Sequence, residues 1–569
     1  AGDIGTSLIQ KYQATQSGER SALHRQTHSS TQGTASMHFS LSAGSHTDFE
    51  SPHLFFGELK SGLFHLSSDL SRVLGTDPAH SCRLEEVFDA LLANECDREV
   101  LRAFFDEFRR ECASRDLFVR LRLEGRVLWC RIRAKSYRSD AGDSTLFSGT
   151  VEFYNFARIF SELLGFSDFT KEEVEKLVRL ASAPVSHTIS ALRLTSNFRA
   201  TDSLGLFTAQ IAESMREKAS DGVMIEQFDF DTLLISTPET SFDVEARANR
   251  LLDAVLREHR ADADVEPRLL FAEGAESYVE AMEKRLVFWL EFANLYPTTN
   301  APEKFQLREI LLTACACLND FEGFKLLMQP LVDRYTRHYT GAEFLLRFKA
   351  DRGFGPDRFV RLLEKSTLAV PLTHWVFGHS LELASKILKA APEGFTFSLN
   401  LNPMHTVDRS LFLFLRTAAE RNGIPFRRIV VEFVETGENI PQQDLLALIE
   451  KCRSLGMQTA IDDFGTCYNS LAFLLSVPCD MVKLSREIAL GCLYDEKRRQ
   501  FLCRLIKAFK ELGLVVCIEG IQDEEMYARL EGLAPDQLQG YCFAKPSNAE
   551  EMLALLLEAS VVGAGEASA

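Results

Sequence analysis

The chain has 569 residues, with 81 acidic against 63 basic side chains and a formal net charge of −18, a balance that argues against a nucleic-acid polymer as partner, because such binding draws on lysine and arginine to displace counterions. Its 46% apolar content suits several domains with their own cores, and no run approaches the roughly 18 to 20 uninterrupted apolar residues of a membrane span. Thirteen cysteines, an odd number lacking CxxC or CxxH spacing, point to reduced thiols and a cytoplasmic location rather than to a disulfide framework or a zinc site.

Residues 1–45 are rich in Ser, Thr, Gln, Gly and His and poor in large apolar groups, so a disordered tail is expected there. From 46 to 155 come short elements: LFHLSSDLSRVLG, two helical stretches EEVFDALLA and VLRAFFDEFRREC, then LFVRLRL, VLWCRIRAKSY and TLFSGTVEFYN. The last three alternate as an antiparallel meander does. This α+β segment resembles a PAS sensor domain, with Trp129 opening the penultimate strand and Gly149 preceding the final one. Trp129, Phe147 and His65 are candidates to line a cofactor pocket of unknown ligand, with core packing the competing role for each.

A connector helix, FARIFSELLGF, is expected over 156–169, its aromatic stripe suiting either packing within the chain or pairing across a homodimer. Between 170 and 300, helix and strand signals alternate in the layout of an α/β GGDEF domain, with FDFDTLLI at the position of that family's hairpin. Gln227-Phe228-Asp229-Phe230-Asp231 replaces the signature's glycines and acidic pair. Bulky side chains there keep the backbone from closing on a nucleoside triphosphate, so a degenerate, structural or regulatory domain is expected.

From 301 to 559, apolar runs carry isolated polar groups: GAEFLLRF, FSLNLNP, VVEFVET, AIDDFGT, DMVKLS, VVCIEG and LQGYCFAKP. Each reads as a buried strand followed by a helical pattern, as in a (β/α)8 TIM-type barrel, which collects functional groups at the C-terminal ends of its strands. Glu343, Asn400, Glu432, Asp462, Asp463, Lys483 and Glu519 would then converge on one mouth. Carboxylates so crowded in an apolar cleft call for neutralising cations, and oxygen-only ligands favour Mg2+ or Mn2+ over zinc. A single Glu or Lys at a strand end is usually a solvated rim residue, and Asn402 before Pro403 a turn former; the whole set embedded in apolar strands is not so explained. A further disordered tail is expected over 560–569.

These runs, opening at Met328-Gln329-Pro330 and including Glu343-Phe344-Leu345-Leu346-Arg347 as an ExLxR motif, resemble the EAL domain, the cyclic di-GMP phosphodiesterase family, over roughly 240 residues. The resemblance implies two metal ions per barrel: Glu343, Asn400, Glu432 and Asp462 on one, and Asp462, Asp463 and Glu519 on the other. It implies that Lys483 helps hold the attacking water, that Gln329, Leu345, Arg347 and Gln539 contact substrate, and that Glu435 anchors the DDFGT loop. Departures from the pattern are Phe344 for a small residue, Cys467 for a glycine, Asn469 for a serine, Ser485 for an aspartate and Gln522 for an acid. The function so implied is metal-dependent hydrolysis of cyclic di-GMP to pGpG, regulated by the upstream domains, with catalytic roles for Glu519, Lys483, Asp463 and Glu343. The alternative is a cyclic di-GMP receptor of little or no turnover that signals to a protein partner.

Overall fold

The computed structural model describes residues 52–566 apart from 78, 111–113, 124, 139–144, 168, 197–200, 259–264, 276–277, 296–304, 403–408, 434–441, 466–470, 494 and 531. The expected tail over 1–45, Glu435, Cys467 and Asn469 lie outside the described residues.

Strands β1 (His53–Glu58), β2 (Leu63–Leu66), β3 (Cys82–Arg83), β4 (Ser114–Leu123), β5 (Arg126–Arg138) and β6 (Thr145–Phe153) form one antiparallel sheet in the order β3-β2-β1-β6-β5-β4. Alternation puts Phe55, Phe64, Ile132, Phe147 and Val151 on the face that meets the helices Leu84–Leu91 and Glu95–Arg110. The Phe147 ring lies 4.7 to 5.7 Å from those of Phe55, Phe64, Phe105 and Phe108, so it is core packing rather than pocket lining. His65 stacks on Phe56 on the opposite, outer face. Trp129 lies within β5, and its indole turns toward the barrel. Gly149 sits inside β6 rather than before it, opposite Ala134 and Phe55. A Cβ at Gly149 would stand 2.2 Å from Arg133 O and 2.6 Å from the Phe55 ring, which explains the glycine.

The connector helix Phe156–Leu164 starts on an Asn155 cap, whose side chain accepts from Arg158 N at 2.8 Å. Phe156, Ile159, Phe160, Leu163 and Leu164 are all buried within the chain, Phe160 against Trp289, so the aromatic stripe serves internal packing. One continuous apolar cluster joins the first domain, this helix and the barrel's helical shell.

A second antiparallel sheet contains β7 (Thr188–Ser196), β8 (Met224–Asp229), β9 (Thr232–Thr237) and β10 (Val265–Ala272) in the order β10-β7-β9-β8. It encloses a separate core with the helices Thr201–Glu217 and Ser241–Glu258. Gln227 Nε2 donates to Gly205 O at 3.2 Å, and Asp231 pairs with Arg193 at 2.8 Å beside the β8/β9 turn.

The last eight strands close a barrel: β11 (Phe324–Asp333), β12 (Tyr339–Phe348), β13 (Thr396–Leu401), β14 (Ile429–Phe433), β15 (Gln458–Phe464), β16 (Met481–Leu484), β17 (Val515–Ile518) and β18 (Gln537–Gln539). The expectation of eight parallel strands needs correction, because β11 runs antiparallel to both β12 and β18 while the other neighbours are parallel. The link from β11 to β12 is a tight turn in which Asp333 Oδ1 accepts from Tyr335 N at 3.0 Å and Thr336 N at 2.8 Å. So short a link makes a hairpin, whereas a parallel crossover takes about a dozen residues or more. At the other end, the helix Ala549–Glu566 runs past the expected boundary at 559, carried by Ala, Leu and Glu, which favour helix. Among the described residues, no helix is long and apolar enough to cross a membrane.

Truncating Phe147 to alanine should cost about 3 to 5 kcal/mol, the usual penalty for a buried aromatic, read as a lower denaturant midpoint for the first domain. A cost under about 1 kcal/mol, the range of surface changes, would mean the ring lines an open pocket after all.

Candidate active site

The barrel interior is built in layers with the two-residue period of a strand. Leu331, Val430, Ala460, Met481 and Cys517 form a closed apolar floor. Two residues further toward the mouth on the same strand faces come Gln329, Glu432, Asp462, Lys483 and Glu519. Glu343, Asn400 and Gln539 join this layer from β12, β13 and β18.

Lys483 is its centre. The fully buried ammonium lies 3.1 Å from Glu343 Oε2, 2.9 Å from Glu432 Oε2, 3.0 Å from Asp462 Oδ1 and 2.6 Å from Glu519 Oε1. Glu343 also accepts from Asn400 Nδ2 and Gln539 Nε2, both at 2.9 Å. One positive charge thus faces four carboxylates, with Asp463 beside them at the end of β15 in a left-handed conformation of φ 51°.

The electrostatics follow from that imbalance. Burial disfavours the Glu343 anion, but Lys483 and the two amides overcome it and hold the carboxyl below its usual range. For Glu432, burial wins, reinforced by Glu343 and Asp462 against Lys483, and pushes the carboxyl up to about 8. Burial and Asp462 raise Asp463 to about 6 and Glu519 well above the ordinary carboxyl range. Burial also opposes the ammonium, yet the four surrounding carboxylates keep the Lys483 proton firmly bound.

Metal ligation fits this donor set. Glu343, Glu432 and Asp462 offer oxygens that all lie within 4.8 Å of one another, and Glu432 Oε1 and Asn400 Oδ1 are buried without a hydrogen-bond partner. Buried acceptors left unpaired are costly, and a hard cation would satisfy both.

Of the other predicted site residues, Gln329 pairs with Glu343 across β11 and β12, and Leu345 and Arg347 follow Glu343 on the same face of β12. Arg347 is half-buried, and that burial lowers its pKa. Neither the reach of Lys483 to four carboxylates nor the direct bond of Gln539 to Glu343 is legible in the sequence, because both depend on cross-barrel distances. Phe344 lies on the outer face of β12 against Phe397, 6.2 Å between rings, and points away from the Glu343 side of the strand. Ser485 caps the helix Arg486–Leu493, accepting from Ile488 N at 3.5 Å. With its amide oxygen toward Arg486, Gln522 accepts from that guanidinium at 2.9 Å.

A barrel with an acidic, lysine-centred mouth defines the class, and comparison with known families agrees. Residues 315–546, which contain all eight barrel strands, match the family model described as EAL domain. The chain is 28% identical over 246 residues to the cyclic di-GMP phosphodiesterase PA2567 of Pseudomonas aeruginosa, covering 43% of this chain and 42% of that protein. It is 27% identical over 227 residues to the probable cyclic di-GMP phosphodiesterase PdeN of Escherichia coli, covering 40% and 44%. The chain thus spans less than half the length of these relatives. Among solved structures, the EAL enzyme Bd1971 in its cAMP- and cyclic-di-GMP-bound form is similar at 24% identity and a TM-score of 0.41, over 58% of this chain and 81% of that one.

The raised carboxyl pKa values set the pH dependence of metal binding. Because Glu432 in the fold holds its proton to about pH 8, its ionisation destabilises the metal-free protein as pH climbs from the unfolded value through that point. A cation that needs the anion must therefore bind more tightly, and release protons, as pH rises. Titration calorimetry with Mn2+ should show affinity increasing between about pH 6.5 and 8.5, by up to about tenfold per pH unit for each proton released. A pH-independent affinity would exclude Glu432 as a ligand.

Proposed function

We propose that the barrel hydrolyses cyclic di-GMP to the linear dinucleotide pGpG in a reaction dependent on Mg2+ or Mn2+. The observation that carries this reading is the convergence of Glu343, Glu432, Asp462 and Glu519 on Lys483, with Asn400 and Glu432 keeping buried oxygens unpaired. Glu343, Asn400, Glu432 and Asp462 would hold one ion, and Asp462, Asp463 and Glu519 a second. When bound, two such cations supply an acidified water and neutralise charge at the phosphate.

The chain's own groups supply the rest. Lys483, a compact ammonium with three donors, orients the attacking water and offsets the charge that develops on the phosphate. Arg347 takes a phosphate oxygen, Gln329, Leu345 and Gln539 position the nucleotide, and Glu435 steadies the loop after β15. The apolar floor lies beneath the polar layer, and water and substrate approach from the mouth. Upstream, the six-stranded domain acts as a PAS-like sensor, and the four-stranded domain as a GGDEF-like module without cyclase activity. In support of the latter, Gln227 is bonded to Gly205 O and Asp231 to Arg193, leaving neither free for a nucleotide. The protein is proposed to work in the cytoplasm as a homodimer.

Incubation with cyclic di-GMP and Mn2+ or Mg2+ should yield pGpG on chromatography. Glu343→Ala and Glu519→Ala should lower kcat by about 10²-fold or more, as loss of a charge-stabilising group in a closed site does, with Glu519→Ala keeping most of the affinity for nucleotide measured in calcium. Parental rates in both variants would show the site misassigned, and tight binding without product would make the barrel a receptor. With GTP alone the protein should produce no cyclic di-GMP; its appearance would overturn the reading of Gln227 to Asp231.

A further inference from the structure

Away from the mouth, the junction between the first domain and the barrel concentrates strain and buried charge. Asn319, Asp320 and Phe321 follow one another with φ of 50°, 61° and 59°. Asparagine and aspartate tolerate this left-handed region, but a bulky phenylalanine there is an outlier. Such a run persists only where its surroundings over-determine it.

Those surroundings are largely the first domain. Val127 N donates to Asn319 Oδ1 at 3.2 Å, Trp129 Nε1 to Asp320 Oδ1 at 2.9 Å, and Arg120 Nη1 to Asp320 Oδ2 at 3.3 Å. Arg120 is buried, also donates to buried Asp97 at 2.9 Å, and lies 5.0 Å from the Trp129 ring centroid and 5.7 Å from that of Phe414. Phe321, fully buried, packs among Trp129, Phe324 and Trp375 with ring separations of 6.2 to 6.3 Å.

The turn leads directly into β11. Gly323 N donates to Ala316 O at 3.1 Å, and a Cβ on Gly323 would stand 2.4 Å from Ala316 Cα, so the chain has one route through. β11 then starts at Phe324, stacked 5.1 Å from Phe348 of β12, and the same ladder places Gln329 opposite Glu343. Because side chains alternate along a strand, where β11 begins decides which of them face the mouth.

We propose that Asp320 is a positioning residue for the mouth: gripped by Trp129 and Arg120 of the first domain, it holds the left-handed turn that seats β11 and so places Gln329 against Glu343. The attitude of the first domain on the barrel thereby controls the site, an inference that rests on reading the mouth as the place where cyclic di-GMP is bound and cleaved.

The test compares Asp320→Ala, Asp320→Asn and Trp129→Phe in the full chain. Asparagine keeps both the left-handed preference and an acceptor for the indole, whereas alanine loses both. Amide hydrogen exchange over Leu326–Val332 should quicken about tenfold in Asp320→Ala, the scale set by an orphaned buried donor, and much less in Asp320→Asn, while β15 and β16 stay protected. The affinity for cyclic di-GMP in calcium should weaken by a similar factor and recover with asparagine. Unchanged exchange in β11 overturns the proposal, and so does a loosened β11 with parental affinity and turnover, which would make Asp320 merely structural. If Asp320→Ala unfolds globally, Trp129→Phe, which deletes only the indole donor, must give the selective loosening of β11 or the proposal fails. A parent that neither binds nor cleaves cyclic di-GMP would sink the reading of the mouth, and the β11 exchange would still decide whether the turn seats the strand.

Discussion

An ammonium group buried among four carboxylates is the constraint on which the barrel depends. Lys483 could not keep its charge in that apolar surround alone, nor could Glu343, Glu432, Asp462 and Glu519 share the space without a cation. Each group is supplied by a different strand, so the cluster exists only when the barrel is closed and every strand is in register. Burial first, and the surplus of neighbouring carboxylates after it, raise the Glu432 and Asp463 carboxyls, and Glu432 Oε1 and Asn400 Oδ1 have no donor. A site that is electrostatically unfinished in the protein alone is suited to hard cations.

The domain junction uses a similar device at a smaller scale. Arg120 is shared between Asp97 of its own domain and Asp320 of the segment leading into the barrel, with aromatic faces on either side. A guanidinium suits this place because its planar fork can serve two carboxylates at once and stack on rings. A buried, charge-assisted contact of this kind resists sliding more than an apolar interface does, and it lies at the start of the one strand that runs against the others.

Much of this was legible in the residues. The apolar runs with single polar insertions announce barrel strands, and the two-residue period puts their polar groups on one interior face, so the sequence alone marks the candidate set. The antiparallel β11 was harder to read, because its apolar pattern is that of any buried strand and only the brevity of the turn at Asp333 to His338 reveals the hairpin. Phe344, Ser485 and Gln522 are departures from the family pattern whose surroundings the sequence does not reveal. In the structure Phe344 is turned to the helical shell, Ser485 caps a helix and Gln522 faces Arg486. Which face a side chain takes, and what stands opposite it, belongs to the fold rather than to the residue type.

By itself, the sequence determined the order of strands and helices, the acidic character of the mouth and its oxygen donors, because these follow from local periodicity and side-chain chemistry. Only the tertiary structure decided that Lys483 reaches four carboxylates, that Gln539 braces Glu343, and that Trp129 serves the barrel rather than a pocket of its own. Those contacts join residues as many as 196 positions apart. Distances across a closed barrel or a domain junction are set by packing of the whole chain, which no local pattern encodes.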